Sequence, residues 1–238
     1  MKVTDVAGEL GEPNEATRRV LRLTGLFPSA LARRRITRFQ VCMLQCPTGR
    51  ILACDPIVDP QTAPCFVHNI RPGRYPAYVY LYDHREYVSL GTVVMAELRF
   101  GRRRVETWQL ARFEDTGSYA RDGYSVDSAK GCFCDAALRP FLDLSEASND
   151  QIDAMLEDLF CCSPYGEQCF DEQSGMNAAV FDSGDGDGTY RSYWGMDATG
   201  SITRLTTSFG IMEDRWRSRS PQITPRQEPA SSTSGTGE

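Results

Sequence analysis

Apolar and polar positions along the chain change their spacing several times, which divides it into segments of different predicted structure. Alternating or continuous apolar positions rich in Val, Tyr, Phe and Ile predict strands. The predicted strands are residues 39–43, 50–53, 75–82, 91–100, 105–111, 178–181 and 202–211. Short polar turns at 46–49 and 101–104 separate two of these pairs, which we therefore predict to be antiparallel hairpins.

Two other segments have apolar residues three or four positions apart, as expected of helices with one buried face. The first is residues 17–26, which ends before Pro28 because the residue preceding a proline disfavours helical backbone. The second is residues 145–160, with Ser148 or Asn149 as its N-cap. The predicted fold class is α+β: a mainly antiparallel sheet with a few short helices.

Length and composition predict the domain organisation. The chain has 238 residues, 41% of them hydrophobic, which is enough for one sizeable core. We predict an N-terminal extension at 1–16, a single domain at 17–214 and a disordered tail at 215–238, which is rich in Ser, Pro, Thr and Gly. The sequence has no apolar run of about 18 residues and no signal-peptide core, so we expect a soluble cytoplasmic protein that does not bind membranes.

The net charge of −6 is unevenly distributed along the chain. Arginines gather at 18–38, 99–112 and 215–219, and acidic residues gather at 143–187. Aromatic residues do not interleave with the arginines as a base-stacking surface requires, so nucleic acid is not the expected partner. Nine cysteines, an odd number without a Cys-x2-Cys pair, favour small buried side chains over disulfides or structural zinc.

Glycine and aspartate alternate in residues 182–188 and then give way to aromatic residues. One interpretation is a Ca²⁺ or Mg²⁺ site formed by Asp182, Asp185 and Asp187. The other is a turn whose aspartates accept hydrogen bonds from backbone amides. The candidate binding residues of this acidic loop and its aromatic continuation are Gly184, Asp187, Tyr190, Trp194 and Asp197.

Further candidates lie outside the acidic loop. Asp55, Asp127 and Asp135 can act as an acid and base, or hold a metal that activates water, if the fold brings two of them together. Arg74 can present its guanidinium to a carboxylate or phosphate, and it precedes a strand with tyrosines on one face. That tyrosine face is either part of the core or an interaction surface.

Four separated patterns occur in an order found in one family. They are residues 49–56, 72–76, 126–135, and 184–200 followed by 206–209. In these patterns the chain resembles the DUF4241 family, mostly bacterial proteins of unknown function, over about residues 45–212. The resemblance implies a single β-rich α+β domain in which the motif residues converge. The chain differs from the family's usual pattern at Cys134, commonly apolar, and at Asp185, commonly bulky.

The sequence favours a binding or interaction module that uses the acidic loop together with Asp55, Arg74 and Asp127 to engage a protein partner. One alternative is a metal-dependent hydrolase that uses the clustered aspartates. Another is an immunity-like or defence-associated protein. No phosphate-binding loop or dinucleotide fingerprint is present, and no cofactor is expected apart from Ca²⁺ or Mg²⁺.

Overall fold

A computed structural model describes residues 12–58, 60–83, 91–114, 123–143 and 147–213. Within these ranges the chain forms eleven strands, four α-helices and three short 3-10 helices. The strands are β1 (Ile36–Cys46), β2 (Ile51–Cys54), β3 (Gly73–Tyr82), β4 (Thr92–Arg99), β5 (Thr107–Leu110), β6 (Tyr124–Val126), β7 (Lys130–Asp135), β8 (Tyr165–Asp171), β9 (Met176–Asp182), β10 (Gly188–Met196) and β11 (Ile202–Ser208). The α-helices are α1 (Glu15–Leu21), α2 (Pro28–Ala32), α3 (Arg139–Leu142) and α4 (Asn149–Cys161), and the 3-10 helices are Arg22–Gly25, Pro60–Thr62 and Ala136–Leu138.

The strands form two sheets in which every paired strand is antiparallel to its neighbour. The larger sheet has seven strands in the order β1-β3-β4-β11-β10-β5, and β6 also pairs with β10. The smaller sheet has four strands in the order β2-β7-β9-β8. The predicted α+β class, mainly antiparallel with a few short helices, is confirmed.

The two sheets pack face to face, and helices cover their outer faces. The core between the sheets joins Trp194 and Leu205 of the larger sheet to Ala53 and Phe133 of the smaller one. On the outer face of the larger sheet, apolar residues of the N-terminal helical segment pack on β1, β3 and β4. On the outer face of the smaller sheet, residues of α3 and α4 pack on β2, β7 and β9. Burial on both faces explains the nearly continuous apolar sequence of several strands.

The predicted helices are confirmed with small shifts in their boundaries. Asn14 caps α1 through a hydrogen bond from the Thr17 amide, and a 3-10 helix continues to Gly25. Ser148 caps α4 in a capping box with Gln151. Among the described residues, no helix is long and apolar enough to cross a membrane. Residues 1–11 of the predicted extension and the predicted tail at 215–238 lie outside the described ranges.

Both predicted hairpins are wrong, although most of their residues do form strands. Strands β1 and β2 lie in different sheets, where they pair with β3 and β7 respectively. Strand β5 pairs with β10 and not with β4. Residues 188–196, predicted to continue the acidic loop, form strand β10. Hydrophobic spacing indicates which face of a strand is buried, but not which distant strand lies beside it.

Candidate functional site

Asp55 lies at the end of β2 and holds the turn between β6 and β7. Its buried carboxylate accepts five hydrogen bonds of 2.8–3.0 Å. The donors are the amides of Ile57, Val58, Asp127 and Ser128 and the hydroxyl of Ser128. A carboxylate engaged in this way fixes two loops together, and little of it remains to bind a substrate or metal.

The acidic loop contacts the same turn from the other side. The Asp187 carboxylate accepts a 3.2 Å hydrogen bond from the Ala129 amide. Asp182 accepts from the Lys130 ammonium at 2.8 Å and from the Ser163 hydroxyl at 2.9 Å. The fold therefore places Asp55, Asp127 and Asp187 around residues 127–129, which brings together three of the predicted site residues.

The carboxylates of the acidic loop are not gathered into one ligand set. Across the described residues, only one group of three or more Cys, His, Asp or Glu side chains has ligand atoms within 4.8 Å of one another, and it consists of cysteines. Asp182 faces Lys130, Asp187 faces a backbone amide, and Asp185 is exposed. This arrangement matches the turn interpretation of the loop.

Asp135 and Asp197 each stabilise a separate turn. Buried Asp135 accepts hydrogen bonds from the Thr48 hydroxyl at 2.6 Å and from the Gly49 amide at 3.0 Å. Asp197 closes the hairpin between β10 and β11, and hydrogen bonds from Thr199, followed by the bond from Arg103, lower the pKa of its carboxyl group. The two residues lie at the far ends of β7 and β10 from the 127–129 turn, so neither joins Asp55.

Of the two predicted aromatic residues of this region, Trp194 lies in the interior and Tyr190 is half-buried. Trp194 is fully buried and packs edge-on against Phe66. The Tyr190 hydroxyl donates a 2.7 Å hydrogen bond to the Gly186 carbonyl, and its ring packs on Phe209. Gly184 has a φ of +72°, and a Cβ there would lie 2.8 Å from the Cβ of Phe209. The contacts of Tyr190 and Gly184 therefore fix the conformation of the acidic loop.

Arg74 is exposed at the start of β3 and lies apart from the 127–129 turn. The tyrosine face of the same strand belongs to the core: Tyr80 and Tyr82 are buried in the layer that the N-terminal helical segment covers. Tyr78, on the same face, is half-buried and packs against that layer.

A second site, which the sequence does not predict, lies between the N-terminal helical segment and the 102–108 segment. It is a groove of about 750 Å³ with five arginines and two glutamates among its lining residues. We call it the arginine groove. It is lined by Glu12, Arg18, Leu21, Arg22, Thr24, Gly25, Leu26, Arg102, Arg104, Val105, Glu106, Thr107, Trp108 and Arg204.

Arg204 is the buried cation of the arginine groove. The residue is only 6% exposed, and burial lowers the pKa of its guanidinium. Its Nε and Nη1 atoms have no hydrogen-bond partner among the described residues. The nearest carboxylate oxygen belongs to Glu97 and lies 3.8 Å from Nε, beyond hydrogen-bonding distance.

Glu97 is fully buried and already committed to other partners. Its Oε1 accepts a 2.6 Å hydrogen bond from Arg99 Nε, and its Oε2 accepts one from the Tyr80 hydroxyl. The single negative charge of Glu97 faces the positive charges of both Arg99 and Arg204. The three side chains together therefore carry a net positive charge beside the arginine groove. Buried N–H groups without acceptors are costly, so Nε and Nη1 of Arg204 need a further acceptor, such as a water or an anion.

Two of the arginine clusters in the sequence supply residues to this groove. Arg18 and Arg22 come from the first cluster, and Arg102 and Arg104 from the second. Their meeting depends on long-range strand order, since Arg204 of β11 lies beside Arg99 of β4. Spacing along the chain does not reveal that order.

Comparison with known proteins identifies a family and no function. No curated protein and no solved structure matches the chain. The sequence model of DUF4241, described as a protein of unknown function, matches residues 44–207, close to the span of the resemblance seen in the sequence. The match covers more than half of the chain. The chain therefore belongs to the DUF4241 family.

Proposed function

We propose that this protein is a binding module whose arginine groove takes a ligand bearing a phosphate or carboxylate group. The observation that carries the proposal is Arg204, a nearly buried guanidinium whose Nε and Nη1 have no acceptor among the described residues. Both atoms are buried, so an oxyanion in the groove reaches them only after the Arg204 side chain shifts; it would then form charge-assisted hydrogen bonds, which are stronger than neutral ones. Arginine is also suited to phosphate and carboxylate because its donors form a planar fork.

The remaining groove residues support the same class of ligand. Arg102 has no ion-pair partner among the described residues, and Arg104 is held only by a 3.6 Å contact with Glu106. Exposed pairs of that kind contribute about 0–1 kcal/mol, so an incoming anion can replace them. Arg18 is paired with Glu12 at the rim. Five arginines against two glutamates make the groove cationic in a protein whose net charge is −6.

The size and apolar lining of the groove suit a ligand larger than a bare ion. Its volume of about 750 Å³ lies within the range of about 300–1,000 Å³ common for small-molecule sites. Leu26, Val105 and Trp108 supply apolar surface beside the arginines. A ligand with an anionic group and an apolar or aromatic portion, or an acidic peptide segment with such side chains, fits this lining.

Calorimetric titration of the full chain tests the proposal. Inorganic pyrophosphate probes phosphate recognition, and a short glutamate-rich peptide probes the acidic segment of a protein partner. We expect saturable binding of at least one probe, weakened about tenfold or more in an Arg102→Gln/Arg104→Gln variant because two charged donors are lost. Arg74→Gln is the matched control, since Arg74 is an exposed arginine outside the groove.

Two results would contradict the proposal. One is the absence of binding to either probe at low ionic strength. The other is an equal loss of affinity in the Arg74→Gln control and the groove variant, which would indicate attraction to surface charge in general. The two probes also separate a small phosphate ligand from a protein partner. An immunity-like role stays a prediction, because the groove features do not distinguish it from other binding roles.

A further inference from the structure

Three cysteines form a cluster on the helix-covered face of the smaller sheet. Cys54 of β2 lies directly opposite Cys132 of β7 in the antiparallel register. Cys134 is two residues further along β7, so it points to the same face as Cys132. All three are buried, as free thiols, in the apolar layer under α3 and α4. The alternation along β7 thus directs both of its cysteines toward the third.

From this cluster we propose a thiolate site for Zn²⁺ formed by Cys54, Cys132 and Cys134, which is separate from the arginine groove. The three sulfur atoms lie within 4.8 Å of one another, and those of Cys54 and Cys132 are 3.5 Å apart. Zn–S bonds of about 2.3 Å at tetrahedral angles place sulfur atoms about 3.8 Å apart. Small side-chain adjustments are therefore enough to bring the three sulfurs onto one ion.

The ligand set indicates which metal the site takes. It consists of sulfur alone, and soft thiolates favour Zn²⁺ or Cu⁺ over the hard cations Ca²⁺ and Mg²⁺. Three thiolates around Zn²⁺ leave one net negative charge, whereas around Cu⁺ they leave two. The smaller buried charge favours Zn²⁺. Deprotonation of the thiols releases protons as the metal binds.

Arg139 is placed to offset the remaining charge. Its Nη2 donates to the Cys65 sulfur at 3.4 Å and to the Ala63 carbonyl at 2.7 Å. Its buried Nε has no hydrogen-bond partner among the described residues. Cys65 lies in the same apolar layer as the three cysteines, and a guanidinium in that layer reduces the cost of burying a negatively charged metal complex.

A cavity next to Cys54 has room for a fourth ligand. It measures about 260 Å³, and its lining includes Cys54, Asp55, Thr62 and Ser125. A water molecule needs only about 10–15 Å³ of such space, together with polar partners. Of the three cysteines only Cys54 lines this cavity, so a water that completes the coordination would reach the ion from the Cys54 side. Three protein ligands and one water are the ligand count of an open zinc site.

Metal titration of the reduced, metal-free full chain tests this site. Co²⁺ serves as the spectroscopic probe, because bound thiolates give charge-transfer bands, and Zn²⁺ is then added to displace it. We expect one equivalent of Co²⁺, displaced by one Zn²⁺. In Cys134→Val the affinity should fall more than about a hundredfold, since one of three protein ligands is lost. Cys42→Val is the matched control, a buried cysteine on β1 outside the cluster.

Three results would overturn the proposed zinc site. The proposal is overturned if the wild-type chain shows no thiolate–Co²⁺ band and binds no Zn²⁺. It is also overturned if Cys134→Val binds as tightly as the Cys42→Val control. If Cys134→Val loses its cooperative thermal unfolding transition, Cys54→Ala is used in its place. Its Co²⁺ and Zn²⁺ affinities are then compared with those of Cys42→Val in the same way. Zn²⁺ content is then measured on the folded wild-type chain, and a content near zero after incubation with Zn²⁺ also overturns the proposal.

Discussion

Arg99 and Arg204 lie directly opposite each other on neighbouring strands, and both approach the same buried carboxylate. Arg99 donates a 2.6 Å hydrogen bond to Glu97, whereas Arg204 Nε lies 3.8 Å from it. Like charges placed opposite each other on a sheet are destabilising. The arrangement is therefore tolerated because of Glu97, and it leaves Nε and Nη1 of Arg204 without an acceptor among the described residues.

Removing the charge of Glu97 is expected to destabilise the fold. Glu97→Gln leaves two guanidiniums without their shared carboxylate, and breaking a buried ion pair in this way costs about 3–5 kcal/mol. Denaturant unfolding of the variant measures the change in free energy of unfolding. Glu106→Gln, at the exposed rim of the arginine groove, is the control and should change it by less than about 0.5 kcal/mol. Equal effects from the two variants would show that Glu97 is not the central acceptor.

Asp55 is expected to act as a structural residue. Asp55→Ala removes the acceptor of five hydrogen bonds, so we expect a loss of about 3 kcal/mol or more in unfolding free energy. Asp127→Ala, which changes an exposed side chain in the turn that Asp55 holds, should cost less than about 0.5 kcal/mol. Denaturant melts of both variants provide the measurement. A near-neutral Asp55→Ala would refute the structural role.

Asp197 predicts a pH dependence of stability. Its hydrogen bonds lower the pKa of the folded carboxyl group below the value of about 3.9 for an unfolded aspartate. The charged form therefore adds stability at neutral pH, and this contribution is lost as the pH falls below about 4 toward the folded pKa.

The Asp197→Asn variant tests this dependence. Its melting temperature should be lower than that of the wild type at neutral pH, and the difference should shrink in acid. Thermal melts across a pH series measure it, with Asp185→Asn as the exposed control. A difference that stays constant from neutral pH to about pH 2 would contradict the role of the Asp197 charge.

The acidic loop is expected to hold its shape without Ca²⁺ or Mg²⁺. Because Asp182 and Asp187 are each engaged within the chain, neither ion should raise the melting temperature. Thermal unfolding with each ion, after treatment with EDTA, is the measurement. The contrary result is a saturable rise that Asp187→Ala abolishes and Asp171→Ala preserves, which would establish a cation site in the loop.

Much of the fold can be predicted from the sequence, because burial is a local property of each element. The spacing of apolar residues predicts α4, β3 and β4, and Ser148 is one of the two predicted caps of α4. Strand partners were not predictable in the same way. Neither β2 nor β5 pairs with the strand nearest in sequence. Their partners are set by packing between residues far apart in the chain.

In the candidate site, too, the contacts between residues far apart in the chain cannot be predicted from the sequence. Asp55, Asp127 and Asp187 were identified individually, and the fold does place them around one turn. Their hydrogen bonds could not be inferred, since these depend on where two loops meet. The Cys132 and Cys134 alternation was visible in the sequence, but Cys54 joins them only through the β2–β7 register. The arginine groove likewise joins two clusters that the sequence keeps apart.

Anion binding by Arg204 and its groove can be followed through the Nε–Hε signals of the arginines. We would record these signals by ¹H–¹⁵N NMR, assign Arg204 with an Arg204→Lys variant, and titrate the wild-type chain with pyrophosphate. If the groove binds an anion, we expect a saturable shift of the Arg204 signal, with the Arg74 signal unchanged. An unmoved Arg204, with exposed arginines shifting alike, would contradict it.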